Sequence, residues 1–417
     1  MRSNVVSGWS AGALLSVALI AGCGDDDASS GPDASPPDAS VPDAIPPDAA
    51  PPDAAPLPEY PTQTTTLSTG ITMQYVEAGD LAGAETVIML HGFTHSSRSF
   101  YPTIQALAAL DPAPHIFALD LRGHGGSSMP ADSGCPAAPQ TCFELSDFAD
   151  DVFAFMESED ITTAHLVGHA LGGLVAQEIA TTAPGSVSSL VLIGTSANPT
   201  ANPVLANLVL ADTINGMWKT ALEAQAEFGD WPEDAYAQTP LDADENAEAW
   251  VAMNWIVDPT ANPELVAKIV PETAEVQLGT WLGVVTMLLE TNNSARLGTL
   301  SVDSLILWAT QDTLFPEADQ VALRTALDVA AEACRSGYIW KQYGKLALPE
   351  SGKQESDLGS NMHWGAPAQV AADIHAFITT DRPTLDRYFA NPDSLTDIET
   401  EAGMAVILEK PAATGCN

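Results

Sequence analysis

Six short apolar runs, spaced along the chain and separated by helical patterns, constrain this sequence more than any other feature. They are TVIML (86–90), HIFALD (115–120), AHLVG (164–168), SLVLIG (189–194), DSLILWAT (303–310) and GYIWKQYG (337–344). A continuous apolar run of this length reads as a strand buried on both faces, not as one with a wet side. Between the runs lie segments with helical periodicity. FADDVFAFMES (148–158) places Phe148, Val152, Phe153 and Met156 on one side. GLVAQEIATT, EADQVALRTALDVAAEA and PAQVAADIHAFI follow later strands in the same way. Strands alternating with helices predict an α/β fold, with a mostly parallel central sheet covered by helices on both faces.

The alternation stops between residues 196 and 298. That stretch has helical pattern but no buried strand, and carries Trp218, Trp231, Trp250, Trp255 and Trp281. It reads as a helical cap inserted into an α/β core of residues 61–195 and 299–380. Its tryptophans either line a cavity or form the packing core of the cap. Residues 381–417 read as a Pro- and Asp-punctuated tail over the surface.

The chain begins with a targeting pattern. Arg2 precedes the apolar run GALLSVALIAG, too short to span a bilayer comfortably, and residues 1–22 read as a signal peptide. LIAGC followed by the polar GDDDASS resembles a bacterial lipobox, which implies a lipidated Cys23 as the first mature residue. Export, lipid anchoring to the cell envelope and, from Gly24, the outer membrane are the expectations. Residues 23–60 then carry Pro, Ala and a recurring Asp (Asp33, Asp38, Asp43, Asp48, Asp53), a composition that cannot bury a core. Extended as polyproline II, this tether reaches roughly 100 Å.

Lys and Arg total 14 against 55 Asp and Glu, a formal net charge of −41. Such a field repels phosphate backbones, which excludes nucleic acid as a natural partner. Export permits disulfides. Four cysteines besides Cys23 allow three pairings. The closeness of Cys135 to Cys142 favours a local bridge, leaving Cys334 with Cys416. The eight histidines show no metal-ligand spacing, and no dinucleotide or P-loop glycine pattern is present, so neither metal nor cofactor is expected.

Five loops at strand ends carry the chemistry. LHGFTHSSRSF follows the first buried strand, DLRGHGGSS the second, GHALGG the third, WATQDTLFP the run from 303, and GSNMHWGAP precedes the last helix. Their order and placement resemble the α/β-hydrolase superfamily of capped serine hydrolases. The resemblance implies ester or acyl hydrolysis by a Ser–His–acid triad, with an oxyanion hole supplied by the backbone N–H groups of Phe93 and Leu171. Asp312 falls at the acid position. At the nucleophile position, between Gly168 and Gly172, stands Ala170, whose methyl cannot attack a carbonyl. Relatives place the base seven residues before a Pro. Counting back from Pro367 gives Ser360, so the base is substituted too. His363 lies three residues further on, as a candidate substitute base. Three readings follow: a pseudo-hydrolase that binds a small apolar or ester-like ligand, an active hydrolase using an unconventional base such as His363, or a non-catalytic surface scaffold.

Overall fold

The computed structural model describes residues 57–83, 85–256, 261–343, 358–384 and 407–414. Cys23, the signal segment, most of the tether and Cys416 lie outside the described residues. Among those described, no helix is long and apolar enough to cross a membrane.

All six apolar runs are strands. They form β3 (Thr86–Leu90), β4 (His115–Leu119), β5 (Ala164–His169), β6 (Val187–Ile193), β7 (Ser304–Ala309) and β8 (Tyr338–Tyr343), parallel throughout in the order β4-β3-β5-β6-β7-β8. Antiparallel strands extend both ends. β1 (Thr62–Thr66) and β2 (Thr72–Gly79) flank β4, and β9 (Ile407–Lys410) flanks β8. β9 corrects the expectation that the tail only lies over the surface. Its backbone satisfies the edge of β8, which would otherwise present a row of unpaired N–H and C=O groups.

The runs are chiefly apolar because their alternate side chains enter two different cores. Ile88, Leu166, Leu190, Leu192 and Ile306 point to one face, with the helices α2 (Leu145–Ser158) and α3 (Leu171–Thr182) and the cap. Val87, Val167, Val191, Leu305 and Leu307 point to the other, with the helix α1 (Tyr101–Ala108) and the helix Pro367–Thr380. On α2 the buried set is Phe148, Val152, Phe155 and Met156, while Phe153 is only half-buried. The expected face was thus rotated slightly. The same helix buries Asp151, which pairs with Arg122 through hydrogen bonds of 2.7 and 2.8 Å.

The cap spans the gap between β6 and β7 as a series of short helical pieces and three longer helical segments, Val204–Trp218, Pro263–Ala274 and Leu278–Glu290. Trp218 and Trp281 are fully buried, with ring centroids 5.1 Å apart, so the tryptophans are chiefly the packing core of the cap. Trp255 differs: it belongs to the wall of the site described next. Cys135 and Cys142 form the expected local disulfide. Cys334 is disulfide-bonded as well, and its expected partner Cys416 lies outside the described residues.

Candidate active site

Strand β5 ends at His169 and α3 begins at Leu171, leaving Ala170 alone to turn the chain. Ala170 has φ 47° and ψ −109°, a conformation costly for any residue with a Cβ. The turn is held from both sides. The Ala170 N–H donates to the Ile193 carbonyl at 3.0 Å, and its own carbonyl accepts the Thr195 hydroxyl at 2.7 Å. A Cβ on Gly168 would sit 2.3 Å from the Gly172 carbonyl oxygen, and one on Gly172 would sit 2.0 Å from that of Leu90. Both positions must be glycine for strand and helix to pass. Gly172→Ala is therefore expected to cost about 2 kcal/mol or more, because the contacted atoms are backbone and cannot yield. Thermal unfolding would show it as a Tm several degrees lower. Gly185→Ala, in open space, is the control and leaves Tm unchanged. An unaltered Tm for Gly172→Ala would contradict this packing.

The backbone N–H groups of Phe93 and Leu171 have no hydrogen-bond partner among the described residues. Phe93 follows β3, and its ring packs edge-on to Trp281 at 5.2 Å and Trp255 at 5.8 Å. The next residue, Thr94, has φ 65° and is braced by the cap. Trp255 Nε1 donates to Thr94 Oγ1 at 2.8 Å, and Thr273 Oγ1 donates to the Thr94 carbonyl at 3.3 Å. The cap thus fixes the loop that aims one of the two donors.

Asp312 sits just past β7 and is 3% exposed. Its Oδ1 accepts the N–H groups of Leu314 at 3.0 Å and Phe315 at 2.9 Å, and the Ser360 hydroxyl at 2.5 Å. Its Oδ2 is buried without a partner. Burial pushes the Asp312 carboxyl up to about 6, with Asp319 adding to the rise and the three hydrogen bonds opposing it. Ser360, the position counted back from Pro367, is thus the side-chain donor to Asp312.

His363 is not brought to Asp312. Its ring is fully buried, against Phe100 at 5.0 Å and His169 at 4.4 Å, and both ring nitrogens lack partners. His169 Nε2 lies 2.9 Å from the Ser360 carbonyl oxygen, which fixes the proton on that nitrogen. His169 thereby pins the loop carrying Ser360.

Sequence reasoning missed what these residues join. His91, His95, His124, His169 and His363 are all buried around the elbow. His95 stacks parallel on His169 at 5.8 Å, and His91 meets His124 at 5.1 Å. Burial holds His91 and His169 down at about 4, His124 at about 3, and His95 and His363 well below their ordinary value. Their spacing in sequence gave no sign of the cluster, because it is assembled from four separate loops. Among the described residues no group of His, Cys, Asp and Glu is placed to hold a metal ion.

These elements enclose a cavity of about 100 Å³ lined in part by Phe93, His95, His169, Ala170, Trp255 and Ser360. A cavity of about 150 Å³ admits benzene, so this one suits a group of only a few heavy atoms. A larger groove of about 650 Å³ lies elsewhere, beside Cys135 and Cys142.

Comparison with known proteins agrees with this geometry. A family model for the alpha/beta hydrolase fold matches residues 85–329. The dihydrolipoyllysine-residue acetyltransferase component of an acetoin cleaving system from Cupriavidus necator is 38% identical over 124 residues, 30% of this chain and 29% of that protein. Epoxide hydrolase A from Mycobacterium tuberculosis is 32% identical over 115 residues, 28% of this chain and 33% of that protein. The aligned part is thus about a third of each relative's length. The crystal structure of the enol-lactonase from Burkholderia xenovorans LB400 covers 76% of this chain and 100% of its own, with a TM-score of 0.52 at 15% identity, a likeness of fold alone. With the elbow, the sheet order and the family match in agreement, the chain belongs to the alpha/beta hydrolase fold family.

Proposed function

We propose that this protein is a pseudo-hydrolase, an esterase-like fold that binds a small apolar or ester-like ligand beneath its cap without serine-triad turnover. One observation carries the reading: the site keeps its strained elbow and both free oxyanion donors, yet presents Ala170 as the nucleophile and a Ser360 hydroxyl on Asp312. Loss of triad members leaves only oxyanion and binding contributions, on the order of 10³–10⁴ over water. A preserved pocket without its reactive groups is suited to recognition. The unconventional-base alternative gains no support, since His363 faces Phe100 and not the acid.

The sequence around Cys23 supports a lipid anchor, and with it attachment to the bacterial envelope, outer membrane favoured. Mature protein that stays soluble with an unmodified Cys23 would refute the anchor.

The test of function pairs binding with turnover. Short-chain ketones and amides, which mimic an ester carbonyl but do not hydrolyse, are expected to raise Tm saturably, by an amount following ligand concentration over Kd. p-Nitrophenyl esters are expected to show no sustained turnover. Robust multiple turnover that co-purifies with the protein would sink the pseudo-hydrolase reading. A flat Tm with every short acyl compound would leave only a scaffold.

A further inference from the structure

We infer that Ser360 is an acyl acceptor, taking a short acyl group once from an activated ester and retaining it as a stable ester on its own hydroxyl. The inference rests on the reading above that this cavity admits short acyl compounds. Its ground is the new bond that replaces the lost triad. Ser360 Oγ donates to Asp312 Oδ1 at 2.5 Å, while Ser360 itself is half-buried and lines the same cavity as Ala170 and Phe93. Ser360 thus joins a buried carboxylate to the wall of the cavity that Phe93 also lines. Of the other groups on that wall, Ala170 is a methyl, and His95 and His169 are imidazoles whose basicity burial lowers, whereas Ser360 alone has its hydroxyl on a buried carboxylate.

The step balances without any outside reagent. The Ser360 O–H proton passes to Asp312 Oδ1 as Oγ bonds to the carbonyl carbon. The bond from that carbon to the leaving oxygen then breaks, and the leaving oxygen takes that proton from Asp312, which returns to its carboxylate form. Asp312 is suited to accept the proton, being a stronger base than an ordinary carboxylate because it is buried. Asp319, from the helix Glu317–Glu332, and His169, at the end of β5, are the titratable neighbours recorded around this pair. Asp319 favours proton uptake, and His169 is held neutral by burial.

Release is what the site lacks. Hydrolysis of the acyl group needs a base aimed at a water on the cavity side. Asp312 is not part of the cavity wall, His363 packs against Phe100, and burial weakens as bases the two imidazoles that do line the cavity, His95 and His169. The acyl group therefore stays, which makes the protein a stoichiometric acyl trap and not an esterase.

The full chain is to be incubated with p-nitrophenyl acetate at pH 7.5 and read by intact-mass and peptide-mapping mass spectrometry. The expected result is a single burst of p-nitrophenol with one acetyl group per chain, on Ser360. Ser360→Ala abolishes it. Asp312→Asn, checked for native melting, slows it on the order of 100-fold, the size of a general-base contribution. Ser360→Cys restores acylation if a small folding defect obscures the alanine result. An acetyl group on other residues, unchanged in Ser360→Ala, overturns the inference. So does absence of any adduct. If a short ketone still raises Tm in that case, the binding reading stands and only the acyl-acceptor role falls; if Tm is also flat, both fall. Continuous p-nitrophenol release dependent on Ser360 overturns both the retention step and the pseudo-hydrolase reading.

Discussion

Acidification from pH 7 to about pH 5 is expected to unfold this protein cooperatively. The cause is the cluster of buried histidines around the elbow. His91, His124 and His169 are held at about 4, 3 and 4, against an ordinary value of 6.5, and His95 and His363 lie well below it. The first cause in each is burial, which penalises the charged imidazolium; neighbouring histidines add to it in His91, His95, His124 and His363. Above pH 6.5 folded and unfolded chains both hold these rings neutral, so no penalty exists. As pH falls below 6.5 the unfolded chain takes up protons that the folded chain refuses. Stability is then lost continuously, down to the folded values near 4 and 3. One such group fully below its unfolded value loses about 1.4 kcal/mol per pH unit. Five together lose about 7 kcal/mol per unit, comparable with a whole domain's stability of about 5–15 kcal/mol.

Asp312 acts in the opposite sense. Its folded value of about 6 lies above the ordinary 3.8, so it gains stability as pH falls through 6; burial raises Asp319 in the same sense, which leaves two groups against five. Protonation of surface carboxylates also relieves the net charge of −41, mostly at lower pH. The measurement is tryptophan fluorescence and circular dichroism across pH 7 to 4, with Tm at each pH. His363→Phe should shift the acid midpoint downward, since both ring nitrogens lack partners and the ring already packs on Phe100. A native signal with unchanged Tm at pH 4.5 would refute the account.

The second large effect is a gain of function. Ala170→Ser with Ser360→His is expected to raise short-ester turnover on the order of 10³-fold or more over the natural chain. Triad members act as a unit, and removing one costs nearly as much as removing all, on the order of 10⁶-fold in kcat in a well-studied case. Each single reversion should therefore give little, and the pair far more than their product. The structure favours the attempt. The elbow at Ala170 already holds the strained φ a nucleophile needs, two N–H donors are free, and Asp312 already accepts a hydrogen bond from position 360. Steady-state hydrolysis of p-nitrophenyl acetate by the two singles and the double decides it. A folded double variant no faster than either single would mean that the loops have drifted from catalytic geometry.

The parallel sheet was legible because a strand buried on both faces leaves a run with no polar positions, as in SLVLIG and LILWA. β1 was not legible: TQTTT is polar and mostly exposed, an edge strand defined only by pairing with β2. β9 was hidden for the same reason, since ILEK becomes a strand through the vacant edge of β8. The tryptophans of the cap were ambiguous in sequence because aromatic side chains serve cores and cavities alike; Trp281 went to the first and Trp255 to the second.

The sequence by itself determined the elbow, with Ala170 at its turn, and the place of Ser360 before the last helix. Those follow from local rules: glycines where chain segments touch, an apolar strand before a helix, and a fixed count back from Pro367. Only the tertiary structure decided what these positions and their neighbours meet. Ser360 meets Asp312 across 48 residues of chain, His363 packs against Phe100, and five histidines from four separate segments are buried around the elbow. Hydrogen bonding and burial depend on distances in space, and residues far apart in a chain carry no local sign of how near the fold will bring them.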